Sequence, residues 1–107
     1  MEKSEFRCFT NEEYAEQGIE VVTDLSDVAI LFGVKEVPID QLIPEKTYFF
    51  FSHTIKKQPK NKALLQAILA KSIRLIDYEL LKNPAGDRVV AFGRWAGLVG
   101  AYNAFWT

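Results

Sequence analysis

Lys35, Glu36, His53, Asp77 and Glu79 all stand just after an apolar run. Lys35 and Glu36 follow VAILFGV at 28–34, His53 follows YFFF at 48–51, and Asp77 and Glu79 follow IRLI at 73–76. An amine that can give up a proton, beside an imidazole whose ordinary titration lies near neutrality, suits acid–base work on an imine or a carbonyl. Each residue also has a plain structural reading. Lys35 and Glu36 could form a solvated surface pair, His53 could be a structural residue after an aromatic run, and Asp77 and Glu79 could form or cap turns. Arg88, further on, could pair with a surface carboxylate. What sets the group apart is that three successive strands would deliver it to one edge of a sheet, where ligand sites of open α/β sheets form. Residue types alone name no reaction.

The elements that must do the delivering are legible as patterns. The first two apolar runs are continuous rather than alternating, and the third, broken by Arg74, follows less cleanly; such runs suit strands covered on both faces in a parallel sheet. Between the second and third runs, 59–71 reads as a helix with Pro59 in its first turn and an apolar face of Leu64, Leu65, Ile68 and Leu69. Strand, helix, strand is a βαβ unit with a right-handed crossover. Upstream, Thr10 and Glu13 form a capping-box pattern for a short helix that Gly18 would end. Downstream, NPAGD at 83–87 is a turn, and 88–92 reads as a short strand. The tail 94–107 is apolar nearly all round, which predicts cover by another domain or subunit. Gly93, just before it, and Gly97 and Gly100 within it read as close-packing helix glycines, since they make no dinucleotide fingerprint. The expected fold is α/β, a mostly parallel open sheet with flanking helices, in one domain over 1–107.

Composition excludes several classes. The 13 Lys+Arg against 14 Asp+Glu leave a net charge of −1, without the positive field that non-specific nucleic-acid binding needs. The basic cluster KKQPK at 56–60 reads as a hydrated loop before a helix. No apolar run reaches the ~20 residues that span a bilayer, and no apolar signal core follows the amino terminus. The single cysteine, Cys8, makes no internal disulfide, and the chain offers no metal-ligand cluster. Soluble, cytoplasmic placement is the expectation, with neither nucleic acid nor membrane as partner.

The stretches LFGVKEVP at 31–38, YFFFSHT at 48–54, RLIDYE at 74–79 and RVVAFGRWAG at 88–97 resemble the amino-terminal domain of the alanine dehydrogenase and nicotinamide nucleotide transhydrogenase superfamily. Within it they look most like saccharopine dehydrogenase (lysine-forming) and the lysine–ketoglutarate reductase domain. The resemblance covers 8–105 and implies a flavodoxin-like fold. The family's lysine falls on Lys35 and its histidine on His53, the pair that does acid–base work around imine formation, hydride transfer and hydrolysis in such enzymes. Glu36 and Glu79 fall on acidic residues that tune the pair, and Arg88 falls on an arginine near the substrate carboxylates. The physics is sensible, because nearby carboxylates hold a lysine or histidine charged and an arginine fork matches a carboxylate.

The chain departs from the family pattern in two ways. The family's first strand and helix, with a carboxylate-binding arginine, have no counterpart upstream of Phe6, so the domain is expected to be partial. No Rossmann domain is expected within 1–107. The resemblance therefore implies NAD or NADP for the intact enzyme but no cofactor bound by this chain alone. The expected role is the substrate-side part of an amino-acid dehydrogenase catalysing oxidative deamination, inactive by itself, with an amino acid or 2-oxo acid as ligand. A missing Rossmann domain or a full-length relative is the expected partner. The strand at 28–34 would then present an unpaired edge, which predicts self-association. A non-catalytic binding or assembly module built on the same fold is the alternative.

Overall fold

Three parallel strands and one crossover helix carry the site. The computed structural model describes residues 1–106. Strands β1 (Ile30–Lys35), β2 (Thr47–Phe51) and β3 (Arg74–Asp77) form a sheet in the order β1-β2-β3. Helix α2 (Lys62–Ala70) connects β2 to β3, as a parallel pair requires of its crossover. Helix α1 (Asn11–Glu16) precedes the sheet and α3 (Gly93–Trp106) follows it. The α/β class and parallel open sheet expected from the apolar runs are what the chain adopts.

Register decides which side chains share a face. Ile30, Leu31 and Phe32 lie opposite Thr47, Tyr48 and Phe49, while Tyr48, Phe49 and Phe50 lie opposite Leu75, Ile76 and Asp77. Side chains alternate along each strand, so Leu31, Tyr48, Phe50 and Leu75 share one face. That face holds the core, in which Leu42, Tyr48, Phe50, Leu64, Ile68 and Ile73 are buried together. Phe50 is wholly buried at its centre.

The opposite face is open along β1. Phe32 stacks on Phe49 with ring centroids 4.5 Å apart, yet Phe32 remains 72% exposed, and Ile30 and Val34 are also exposed. Cover on both faces is thus wrong for β1, because nothing among the described residues packs over its outer side. It fits β2, where Tyr48, Phe50 and Phe51 are buried. The far edge of β1 has no strand beside it among the described residues.

Local chemistry sets the element ends. Thr10 accepts from the Glu13 N–H while the Glu13 carboxylate accepts from the Thr10 N–H, a complete capping box for α1. Gly18, after the helix, has φ +77°, which glycine adopts without steric cost. A 3-10 turn at Pro59–Asn61 leads into α2. The apolar face of α2 is narrower than the pattern predicts, because Leu64 and Ile68 are buried while Leu65 and Leu69 are exposed. The helix meets the core with the i, i+4 pair Leu64 and Ile68, joined by the partly buried Ala67.

Two further expectations need correction. Residues 88–92 do not extend the sheet. Their backbone pairing is an isolated antiparallel bridge between Lys82 and Arg88 and a hydrogen bond from the Val89 N–H to the Leu81 carbonyl. The segment folds back on its own turn, where the Gly86 N–H bonds the Asn83 carbonyl, instead of reaching β3. Strand propensity expresses fit to a pleated, half-buried surface, and this segment has none. Helix α3 forms as expected, but none of its residues is buried, and a Cβ at Gly93, Gly97 or Gly100 would meet nothing within 4 Å. Those glycines are therefore not close-packed against any described residue.

Candidate functional site

Strand β2 ends at the buried Phe51, the buried Ser52 follows, and the chain then turns sharply at His53, whose φ of 56° is left-handed. A 3-10 turn at Thr54–Lys56 follows and swings Lys56 back toward the sheet edge. The neighbouring strand β3 ends in Asp77, whose carboxylate accepts from the Glu79 N–H at 2.9 Å and caps a 3-10 turn at Tyr78–Leu80. The two strand ends lie side by side because β2 and β3 are parallel and in register. His53 and Glu79, 26 residues apart in sequence, therefore meet.

Glu79 is the hub. Its side chain is 7% exposed, and its Oε2 lies 3.0 Å from His53 Nδ1. Its Oε1 receives Arg88 Nη2 at 2.6 Å and Lys56 Nζ at 3.2 Å. Lys56 Nζ also lies 3.1 Å from His53 Nδ1. The hydrogen bond to His53 is the main cause that holds the Glu79 carboxyl below its ordinary pKa. Burial opposes this shift, and the bond and charge of Lys56, with the charge of His53, reinforce it. Glu79 is therefore an anion at neutral pH.

This arrangement has two chemical consequences. With the proton on Nδ1, His53 donates to Glu79 and Nε2 keeps its lone pair, the form of a general base, while Lys56 bonds Glu79 and not the ring. The ring stands against Phe51, with centroids 6.4 Å apart. Second, one buried carboxylate faces two permanent cations, Lys56 and Arg88, whose side chains are 45% and 47% exposed. With the Asp77 carboxylate beneath Glu79 the charges balance, and the two cations are the accessible members. A guanidinium has five N–H donors, so an Arg88 anchored through Nη2 keeps others for an incoming carboxylate.

Lys35 ends β1 at the same edge. Its register partner is Phe51, although continuation from the Phe32–Phe49 pair would place it opposite Ser52. One extra residue in β1, at the irregularity between Phe32 and Lys35, makes the difference. Such a bulge re-aims the side chains beyond it: Lys35 shares the face of Phe32, Phe49 and Phe51 instead of the core face of Leu31 and Gly33. Phe51 is the residue against which His53 stacks, so Lys35 and His53 belong to one side of the sheet end. Glu36 is placed elsewhere, lining a cleft with Glu2, Asp24, Gln41 and Tyr48.

The structure thus brings His53, Glu79 and Arg88 into direct contact, sets Lys35 at the same edge and separates Glu36 from them. Lys56 is the member that reading the basic cluster as a hydrated loop misses. Its signal is the three-residue spacing from His53, one 3-10 turn. Among the described residues no group of three or more His, Cys, Asp or Glu is placed to hold a metal ion. No helix among them is long and apolar enough to cross a membrane.

Residues 1–99 match the family described as alanine dehydrogenase/PNT, N-terminal domain. Alpha-aminoadipic semialdehyde synthase, mitochondrial, of Bos taurus is 47% identical over 103 residues, which cover 96% of this chain and 11% of that protein. The protein of the same name from Rattus norvegicus is 43% identical over the same coverage. Saccharopine dehydrogenase [NAD(+), L-lysine-forming] of Emericella nidulans is 35% identical over 107 residues, covering 94% of this chain and 28% of that enzyme. The chain therefore spans a small part of the length of these relatives.

Proposed function

The chain belongs to the alanine dehydrogenase/PNT N-terminal domain family, and from that membership and the geometry of the sheet edge we propose that it forms the substrate-side wall of a saccharopine-cleaving dehydrogenase site. In this reading the substrate is a secondary amine joining lysine to a 2-oxoglutarate skeleton, and the reaction is its oxidative deamination. A bound NAD or NADP, held outside these residues, supplies the hydride acceptor, for which no side chain has the chemistry.

The chain's own residues handle protons and charge. His53, with Nδ1 tied to Glu79, offers Nε2 to deprotonate the water that attacks the oxidised carbon–nitrogen double bond. Lys35, on the same side of the sheet end, takes the proton that the substrate nitrogen loses on oxidation and returns one to the departing amine. Arg88 and Lys56 receive the substrate carboxylates with their exposed donors. Glu79 keeps the histidine oriented and offsets part of the cationic charge.

The observation that carries this reading is the buried Glu79 carboxylate contacting His53, Lys56 and Arg88 at the strand ends where Lys35 also terminates. Calorimetric titration of the chain with saccharopine tests it, with a Lys35→Met, His53→Gln double variant as control. Saturable binding that the variant loses is the expected result. No heat at about 1 mM ligand, a free energy weaker than about −4 kcal/mol, would count against a substrate wall formed by this chain.

A further inference from the structure

Deeper than Glu79 lies a second polar cluster that the proton chemistry leaves unused. Ser52 is 1% exposed and Asp77 6% exposed. Two buried polar side chains at adjacent strand ends are costly to bury unless every donor and acceptor is matched, and here they are matched to each other. Asp77 Oδ2 accepts from Ser52 Oγ at 2.5 Å, while Asp77 Oδ1 accepts from the Glu79 N–H at 2.9 Å. Ser52 Oγ in turn accepts from the Thr54 N–H at 3.2 Å and lies 2.8 Å from Thr54 Oγ1. The residues on both sides of His53 are therefore tied to one hydroxyl, and that hydroxyl is tied to Asp77. Asn61 Nδ2 holds the His53 carbonyl from the other side at 3.1 Å.

We infer that Asp77 is a positioning residue: its two carboxylate oxygens set the separation of His53 and Glu79, one through Ser52 and the other through the Glu79 backbone. The inference rests on the functional reading above for its purpose, but not for its geometry. His53 occupies a left-handed conformation that a residue with a Cβ adopts only when its surroundings impose it. The hydroxyl between Ser52 and Thr54 supplies that imposition from within the chain. Both of the groups that Asp77 binds are donors, an O–H and an N–H, so a carboxylate suits the position and a purely apolar side chain does not. Neither bond reaches substrate, so Asp77 acts only through the residues it places.

Asparagine is the informative substitution. Its Oδ1 can still accept from the Glu79 N–H, and its Nδ2 can donate to Ser52 Oγ once the serine hydroxyl turns to Thr54 Oγ1. Asp77→Asn therefore keeps the tie between the strands, whereas Asp77→Ala removes both arms. The readout is the titration of the Glu79 side-chain carboxyl by carbon NMR, since the His53 hydrogen bond is the main cause of its lowered pKa. His53→Gln supplies the reference for a Glu79 without its imidazole.

Both variants remove the Asp77 charge, which by itself lowers the Glu79 midpoint, so the comparison is between them: Asp77→Asn is expected at or below the wild-type value and Asp77→Ala clearly above Asp77→Asn, toward His53→Gln. A role confined to fold stability would lower the urea midpoint of Asp77→Ala but leave the Glu79 titration of the folded protein indistinguishable from that of Asp77→Asn, and that result overturns the inference. Should Asp77→Ala not fold, Ser52→Ala removes one arm alone. A Glu79 midpoint that rises in Ser52→Ala supports the inference, and an unmoved one overturns it. No substrate enters the measurement, so it can fail while saccharopine binding holds, and the reverse.

Discussion

Replacing Glu79 by glutamine removes one charge and almost no volume, which isolates the electrostatic part of the site. The wild-type carboxylate is 7% exposed and contacts three groups that are 31%, 45% and 47% exposed. Pairs with partners this open are screened and contribute about 0.2–1 kcal/mol each, well below the 1.5–3 kcal/mol of a desolvated charge-assisted bond. Glutamine keeps one acceptor for Arg88, so Glu79→Gln should cost about 1–2 kcal/mol of stability at neutral pH.

The pH dependence is set by the direction of the pKa shift. Glu79 is held below its ordinary pKa in the folded chain, by His53 first and by Lys56 in addition. Its contribution is therefore fully present above the unfolded value, about 4.3, and is lost as pH falls through the folded value. Urea denaturation of both proteins at descending pH reads this directly. The stability gap should be widest at neutral pH and close on acidification. A gap of the same size at every pH would mean that the loss is one of shape, not charge. No gap at neutral pH would mean that the three contacts contribute nothing, and that Glu79 does not anchor the imidazole.

Two further outcomes test the frame around the site. On α2, Ile68→Ala should cost about 2–5 kcal/mol while Leu69→Ala, exposed in the structure, stays within about 0.5 kcal/mol; urea midpoints with an unchanged slope check both. Thr10→Ala should remove about 1 kcal/mol from α1, seen as faster amide exchange at 11–16. The global unfolding midpoint should stay in place, because α1 has no buried residue.

The legible parts of the fold are those in which a local pattern is also the tertiary one. The runs ending at Val34, Phe51 and Ile76 are strands because short, mostly apolar stretches between turns suit a sheet, and Thr10 with Glu13 caps α1 through contacts three residues apart. Residues 88–92 mislead because Val89 and Val90 carry strand propensity, yet a turn closed by Asn83 and Gly86 takes the chain back toward Leu81 and away from the edge of β3. Leu65 and Leu69 carry the spacing of a buried face that a sheet this narrow cannot cover.

The site divides in the same manner. The delivery of Lys35, His53 and Glu79 to one edge is readable from parallel strands of similar length. The bulge that turns Lys35 to the His53 side is not, since one extra residue in β1 leaves the apolar pattern intact. Lys56 is hidden in a basic run whose other members have no place in the site. Asp77 is legible as a candidate at a strand end, but Ser52 and the pairing of the two show only when the register sets them in hydrogen-bonding distance.

The most direct test of a proton-transfer site at this edge uses the fact that the chain has one histidine. Its ring gives a single set of imidazole resonances, which can be tracked by NMR as saccharopine is added to the intact chain. These resonances and those of the Lys35 side chain should move together and saturate at one ligand concentration, and Arg88→Ala should weaken the response. Saturable shifts elsewhere, with the His53 ring and Lys35 unmoved, would contradict a proton-transfer site at this edge.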